Sequence, residues 1–245
     1  MTHATGREFL KNSKPQFLSK SDQNTGSIQQ PPLELQYDKS IPQIDLPDPK
    51  KLEMGTFDLT KTIEQRQSRR RYTDDALSLE ELSYLLWTTQ GIRDILPHAT
   101  LRNVPSAGAR HAFETYLLIN RVDGINPGLY RFLAFEHKLI CLTEDTEIAD
   151  KITKAALEQN HIKQSAVTFI WAAVTYRMTW RYVERGYRYL FIDAGHVCQN
   201  LYLASEAIGG GICAIAAFDD DEMNEILDFD GKNIFTIYMA SMGKV

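Results

Sequence analysis

Cysteine is scarce in this sequence and is not arranged for metal binding. Cys141, Cys198 and Cys213 show no paired spacing, and neither C-x-x-C nor H-E-x-x-H occurs. The six histidines also lack paired ligand spacing. No apolar segment of the signal-peptide type lies near the first residues. We therefore expect no metal site, and we expect a protein of the reducing cytoplasm.

The sequence also lacks a long apolar run and an excess of positive charge. Its longest apolar stretch, AVTFIWAAVTY from Ala166, is too short to span a membrane and is rich in β-branched and aromatic residues, which predicts a buried strand. Lysine and arginine number 27 against 32 acidic residues, a net charge of −5 that argues against a nucleic-acid binder. The 245 residues suit one large domain with a tail.

Two further signatures are absent. Without a G-x-S-x-G elbow, hydrolase chemistry has no support. The three glycines from Gly209 end an apolar helix, whereas the dinucleotide-binding G-x-G-x-x-G follows a strand and opens a helix. Gly209 fits a helix C-cap, and three glycines exceed what a cap requires. His196, in the preceding helix, is expected to be a hydrogen-bonded core residue rather than a catalyst.

The chain divides into an irregular first part and a patterned second part. Residues 1–60 lack periodicity and carry prolines, which predicts an extended arm that either stays mobile or wraps a partner subunit. Residues 61–245 are expected to fold. Ser78 with Glu81 is a capping box for the helix SLEELSYLLWTTQG. TYLLINRV, GLYRFL and KLICL predict an antiparallel run of short strands. A helix at about 146–159, a strand from 166 to about 175 and a final strand in NIFTIYMASMGKV complete an α+β fold, a mixed sheet flanked by helices.

One segment is apolar around most of its helical circumference. It runs from Arg188 to Ile208 and interleaves small residues with leucine and tyrosine. Such a helix must be covered on nearly all sides, either by its own domain or by a second copy of the chain. We therefore predict that it is a dimer-interface helix.

Four arginines surround a serine just before the capped helix. Arg66, Ser68 and Arg70 lie two residues apart, so in an extended segment they point to one side, and Gln67, Arg69 and Arg71 point to the other. Two guanidinium groups and a hydroxyl on one face suit a phosphate, whose oxygens accept paired hydrogen bonds. The alternative is a solvated basic turn whose arginines pair with the nearby acidic residues Asp74, Asp75, Glu80 and Glu81.

A second stretch, NVPSAGARH at 103–111, is rich in small side chains. Its proline, its hydroxyl and Gly108 would let the backbone approach a flat ligand closely. The alternative is an ordinary tight turn before the following strand.

Together, RQSRRRY, SLEELSYLLWTTQGI, VPSAGARHAFETYLL, PGLYRF, YRYLFIDAGHVCQNLYLASEAIGGG and SMGK resemble the flavin-dependent nitroreductase family. They look most like its azoline-dehydrogenase branch, the SagB-type oxidoreductases. The similarity covers about residues 60–245. It implies a nitroreductase-like fold in a domain-crossed homodimer, with FMN at the interface and residues 61–245 as the FMN-binding domain. It also implies that NADH or NADPH is the probable hydride donor.

The resemblance assigns site residues position by position. Four match the phosphate- and ribityl-binding segment: Arg66, Gln67, Ser68 and Arg70. Three match the stretch that approaches the flavin from the other subunit: Pro105, Ser106 and Ala107. Three match the segment beside the isoalloxazine ring: Ile215, Ala216 and Ala217. One matches a basic residue on the phosphate: Lys244.

The resemblance also bears on proton transfer. Azoline dehydrogenases carry a Lys-Tyr pair for this step, and TWRYVERGYRY places Arg181 and Tyr182 at those positions. Arginine stays protonated and cannot be a general base, whereas Tyr182 could donate or relay a proton, with Arg181 lowering its pKa. The alternative is a strand-to-helix connection with an exposed arginine.

Three functions follow as expectations. The leading one is an FMN-dependent oxidoreductase that passes hydride from NAD(P)H to small electrophiles such as nitroaromatics or quinones. The second is a tailoring dehydrogenase that oxidises a peptide azoline or a small metabolite. The third is a flavin-binding or flavin-degrading protein, in which the cofactor is cargo or substrate.

Overall fold

The computed structural model of the chain describes residues 3–26, 28–51 and 57–245. The strands of these ranges are β1 (Gln43–Asp45), β2 (Ile92–Leu96), β3 (Ala99–Arg102), β4 (Phe113–Ile119), β5 (Gly128–Leu133), β6 (Lys138–Thr143), β7 (Val167–Val174), β8 (Gly210–Ile215) and β9 (Ile234–Lys244). Seven of them form one sheet in the spatial order β1-β6-β5-β4-β7-β9-β8. The other two, β2 and β3, form a separate hairpin.

The helices cover both faces of the large sheet. They are α1 (Ala4–Asn12), α2 (Asp22–Thr25), α3 (Leu59–Gln65), α4 (Leu79–Gln90), α5 (Ile148–Ala155), α6 (His161–Gln164), α7 (Thr175–Tyr182), α8 (Gly186–Ala207) and α9 (Asp220–Ile226). Within the described ranges, none is long and apolar enough to cross a membrane.

Strand β7 is buried on both faces of the sheet, which is why helices pack on each side of it. Its side chains alternate between two cores: Phe169 and Trp171 join the cluster formed with α4 and α8, whereas Ile170 and Ala172 join the cluster formed with α5 and α9. A strand buried on both faces reads as a continuous apolar run, as this one does.

The predicted α+β class, with helices flanking a sheet, is confirmed. Ser78 and Glu81 form the predicted capping box at the start of α4. The three predicted short strands pair as β4, β5 and β6. The sheet was expected to be mixed, but its named strands all pair antiparallel, and its parallel pairing in the described chain is one bridge, Ser68 to Ile212. The connections from β4 to β5 and from β5 to β6 are short, as antiparallel neighbours allow.

The first part of the chain lies against the domain. Strand β1 pairs with β6 at the edge of the sheet. Upstream of it, the Leu35 amide donates to Glu114 Oε1 (2.8 Å), and Arg131 donates to the Leu35 carbonyl (2.7 Å). Arg177 on α7 donates to the Pro32 carbonyl (2.8 Å). The segment is therefore held by buried charged side chains of the domain.

Helix α8 is covered mostly by its own chain. Leu190, Val197 and Leu201 are buried in the larger core. A stripe on the opposite side stays open, where Phe191 is 60% exposed and Ile192 is 54% exposed. His196 lies on this open side, so its predicted place in the core is wrong. An apolar stripe on an otherwise covered helix is typical of a contact surface.

Candidate functional site

The arginine segment lies along the open edge of β8. Ser68 bridges Ile212 in parallel, and the Arg69 amide donates to the Ile212 carbonyl (2.8 Å). Beneath the segment, Gly211 of β8 pairs with Gly243 of β9. A Cβ on Gly211 would press against Arg69, and one on Gly243 would press against Tyr72. The glycine pair therefore lets the segment lie directly on the sheet, which explains a glycine beyond the helix cap at Gly209.

Two side chains of the segment contact α8. Arg66 stacks on the Tyr202 ring, 5.1 Å from its centroid, and the Ser68 hydroxyl is 2.8 Å from the Tyr202 hydroxyl. The Arg70 charge instead acts on Cys213 and on His161 of α6. Arg69 packs against Gly211. The predicted common side is therefore observed for Arg66 and Ser68.

These arginines carry no carboxylate partner in the part of the chain that the structure describes. The alternative of ion pairs to Asp74, Asp75, Glu80 and Glu81 is therefore not observed for Arg66, Arg69 or Arg70. Glu81 instead binds Lys244, which also donates to the Ile208 carbonyl (3.0 Å). An anion bound at Lys244 would therefore share the Lys244 ammonium group with the Glu81 carboxylate.

A hydroxyl network fixes the end of the segment. The Tyr72 hydroxyl donates to the Arg69 carbonyl (2.8 Å) and lies 2.8 Å from Ser241 Oγ, which is also 2.9 Å from His161 Nδ1. Burial, and then the Arg70 charge, lower the pKa of His161, so the ring is neutral at physiological pH. The segment is therefore tied to β9 and α6 as well as to β8.

A cleft opens where β8 ends. Its volume is about 500 Å³, and it lies between α8, β9 and the residues after β8. Ala216 lines it together with Ala194 and Gly195 of α8. Ile215 is buried in the core shared with α5 and α9, and the Ala217 carbonyl accepts from Gln159 (2.7 Å). Of the three residues assigned beside the flavin ring, Ala216 is the one that lines the cleft.

The loop with Pro105, Ser106 and Ala107 is pinned to α8 by Asp193. The Ser106 hydroxyl donates to Asp193 Oδ2 (2.6 Å), and the Ala107 amide donates to the same carboxylate (3.2 Å). Ser106 Oγ in turn accepts from the His111 amide (2.9 Å). Burial raises the pKa of Asp193 above its ordinary value. Sequence reasoning missed Asp193, although an acidic residue inside an apolar helix is a usable signal.

The same loop approaches Arg181 and Tyr182. Gly108 has a left-handed φ of 58°, and a Cβ there would overlap the Tyr182 hydroxyl and lie 3.0 Å from Arg181 Nε. Ala109 and His111 also have positive φ, as does Val183 directly after Tyr182. Such conformations cluster at functional sites. The structure therefore joins two stretches that the sequence analysis treated separately.

Arg181 and Tyr182 end helix α7, not the strand-to-helix connection considered as the alternative. Arg181 lies over the Tyr182 ring (5.4 Å), and Tyr182 packs edge-on against Tyr189 of α8 (4.8 Å). Both are half-buried. Neither the guanidinium nor the hydroxyl makes a hydrogen bond within the described ranges, so both are available to a ligand.

The residues present fit an FMN. The buried Nε of Arg69 has no partner among the described residues, and Arg66 and Arg70 lack a carboxylate, as expected for donors that meet an anion. The glycine pair lets Arg69 and Tyr72 pack directly on β8 and β9, which holds the arginine segment in place beside the sheet. The cleft at the end of β8 has a mainly apolar lining and a volume within the range of small-molecule sites.

Comparisons with known proteins bear on the family of the chain. The model of the Nitroreductase family matches residues 63–244. MJ1384 of Methanocaldococcus jannaschii, a protein described as a nitroreductase, is 34% identical over 185 residues, which cover 76% of this chain and 89% of that protein. The trifolitoxin-processing protein TfxB of Rhizobium leguminosarum bv. trifolii is 30% identical over 135 residues, 52% of this chain and 35% of that protein.

A solved structure shares the fold. The crystal structure of a protein described as a nitroreductase from Anabaena variabilis matches with a TM-score of 0.69 and 25% identity. The match covers 84% of this chain and 42% of that chain. The chain therefore spans less than half the length of the Anabaena protein and of TfxB.

Proposed function

The chain belongs to the nitroreductase family, and on this premise we propose that it is an FMN-dependent oxidoreductase that transfers hydride between NAD(P)H and a small electrophilic acceptor, such as a nitroaromatic or a quinone. The observation that carries the proposal is the arginine segment along β8, in which Arg66, Arg69 and Arg70 have no carboxylate partner among the described residues. When bound, FMN supplies the two-electron hydride chemistry.

In this proposal the arginine segment binds the phosphate. Arg66 and Arg70 supply charge and paired donors, Ser68 supplies a hydroxyl, and Gln67 binds the ribityl chain. Lys244 adds positive charge at the rim, moderated by Glu81. Ala216 and Ala217 border the ring, and Ile215 supports them from the core.

We place the second half of the site in the other subunit of a homodimer. Pro105, Ser106 and Ala107 would approach the ring across the interface, held in shape by Asp193 of their own chain. The open stripe of α8, with Phe191 and Ile192, supplies the apolar contact surface that such a dimer needs.

Proton transfer is assigned to Tyr182. Its hydroxyl is free of hydrogen bonds among the described residues, and Arg181 lies over its ring. A phenol positioned in this way can donate a proton to a reduced acceptor. Arg181 itself stays protonated and exchanges no proton.

The deciding experiment is an absorbance spectrum of the purified protein, followed by anaerobic titration with NADH and NADPH. We expect flavin bands that bleach with a nucleotide and recover on addition of a nitroaromatic or a quinone. Bound flavin that neither nucleotide reduces would contradict the reductase assignment. Protein that neither contains FMN nor takes it up would contradict the cofactor itself.

A second candidate function is supported by one relative. The similarity to TfxB, a protein named for toxin processing, favours a tailoring dehydrogenase that oxidises a peptide azoline or a small metabolite. Arg181 in place of a lysine disfavours it, because no general base then stands beside Tyr182. Flavin that is reduced by an azoline peptide and reoxidised by oxygen would identify this function.

A further inference from the structure

Two arginines flank the Tyr182 hydroxyl, and neither has an acidic partner among the residues that the structure describes. Arg181 Nε lies 3.0 Å from the position of a Cβ on Gly108, and Arg110 Nε donates to the Gly108 carbonyl (3.1 Å). The Tyr182 hydroxyl lies against the same glycine. Two positive charges and a phenol therefore converge on one backbone position.

The pair is held together by the surrounding structure. Arg110 is 5% exposed, stacks on Trp180 (5.8 Å) and donates through Nη2 to the His98 carbonyl (2.8 Å). Burial, and then the neighbouring Arg181 charge, lower the pKa of Arg110. Its Nη1 makes no hydrogen bond within the described ranges, and the whole Arg181 guanidinium makes none.

Positive charge continues on the other side of the loop. A second cleft of about 370 Å³ includes Arg93, Arg102, Ser106 and His111 in its lining, and none of the described lining residues is an aspartate or a glutamate. Burial lowers the pKa of His111 to about 3, with the Arg102 and Arg110 charges as further causes. Like charges placed together without a carboxylate cost free energy unless an anion joins them.

We propose that Arg181 and Arg110 bind the carboxylate of the substrate and so hold its reacting group beside the Tyr182 hydroxyl. This inference rests on the proposed oxidoreductase function of the same site, and it names the substrate class: small acceptors that carry a carboxylate. A planar guanidinium meets a carboxylate through two parallel hydrogen bonds, which fixes orientation as well as position. Arg181 is then a binding residue, in place of the base that a lysine would provide.

The test compares two ligands of equal shape and different charge. The affinities of 4-nitrobenzoate and 4-nitrobenzamide for the FMN-loaded protein are measured by calorimetry without nucleotide, so no turnover is needed. We expect the carboxylate to bind about tenfold more tightly than the amide, since a charge-assisted pair is stronger than a neutral one. In Arg181→Gln this preference should fall to about twofold or less. Arg7→Gln, which removes an exposed charge on α1, should keep it.

Equal affinities in the wild type, no binding of either compound, or a preference that survives Arg181→Gln would each overturn the proposal. So would a loss of affinity in Arg181→Gln for NADPH instead of nitrobenzoate, because the arginine would then bind the nucleotide phosphate. The proposed function is judged separately. Preferential binding of nitrobenzoate, with no reduction of it by NADH or NADPH, would contradict the reductase and leave the carboxylate site standing.

Discussion

Two groups of arginines in this molecule differ in burial and in their carboxylate partners. Arg131 and Arg177 are buried, and both pair with Glu114, at N–O distances of 3.0 and 2.5 Å. Arg66 and Arg181 are half-buried, and neither has a carboxylate partner among the described residues. The first pair fastens the segment before β1 to the domain, and the second pair lies where the proposed ligands bind.

Burial and pairing with a carboxylate together distinguish arginines that stabilise the fold from arginines that can bind a ligand. For Arg131 and Arg177 the Glu114 carboxylate offsets the cost of burial, whereas buried Arg110 donates to the Gly108 and His98 carbonyls instead. A half-buried guanidinium keeps part of its hydration, so it needs no carboxylate partner in the protein and can bind an anionic ligand. The Glu114 cluster therefore belongs to stability, and the unpaired arginines belong to binding.

The largest expected effect comes from Glu114→Gln. It leaves two buried positive charges uncompensated and weakens the contact to the Leu35 amide, so we expect a loss of about 3–5 kcal/mol in the free energy of unfolding. Chemical denaturation measures it. Asp150→Asn, which breaks the exposed pair with Lys163, is the matched control and should cost less than about 1 kcal/mol. Similar losses of unfolding free energy in the two variants would show that the Glu114 cluster stabilises the fold no more than an exposed ion pair does.

The second prediction concerns the unpaired group. The double variant Arg66→Ala, Arg70→Ala should fold with a free energy of unfolding within about 1 kcal/mol of the wild type, because no buried pair is broken. Its dissociation constant for FMN should rise by about 100-fold or more, as expected when two charge-assisted hydrogen bonds are lost. Quenching of FMN fluorescence on titration measures the constant. Arg71→Ala, an exposed neighbour, is the control, and unchanged affinity in the double variant would remove these arginines from the site.

The smallest expected effect is a change in pH dependence. The pKa of folded His111 is about 3, against about 6.5 in the unfolded chain, so the unfolded chain binds the extra proton between these values. Stability should therefore fall as the pH drops below 6.5, by at most about 1.4 kcal/mol per pH unit from this group. His111→Gln should flatten the slope between pH 4.5 and 6.5, measured by denaturation at each pH. His137, whose folded pKa is about 4, and His161, whose pKa is also lowered, keep part of the slope. An unaltered slope in the variant would show that burial and the neighbouring arginine charges do not depress the pKa of His111.

Much of the fold follows from local sequence signals. The capping box of Ser78 and Glu81 marks the start of α4, and the apolar run after Ala166 marks β7, because these elements are fixed by neighbouring residues. The path of residues 28–51 cannot be predicted from local sequence signals. It depends on Glu114 and Arg131, which lie 79 and 96 residues away in sequence from Leu35, their partner.

The candidate site divides similarly. The common side of Arg66 and Ser68 follows from an extended backbone, and both side chains contact Tyr202. The convergence of Gly108 with Arg181 and Tyr182 does not follow, because it joins a loop and a helix end that are more than 70 positions apart. The Asp193 anchor also depends on tertiary contact, and the roles of these residues toward FMN remain predictions.

A short extended segment lies at each edge of the seven-stranded sheet. At one edge it is β1, which has three residues. At the other edge it is the arginine segment, which pairs with β8 through the Ser68 bridge and the Arg69 amide. An uncovered edge strand is a template for pairing with another molecule. Release of the arginine segment would therefore bare a strand that can pair with other copies of the chain, so a variant that loosens this segment should be the form most prone to aggregate during purification and storage.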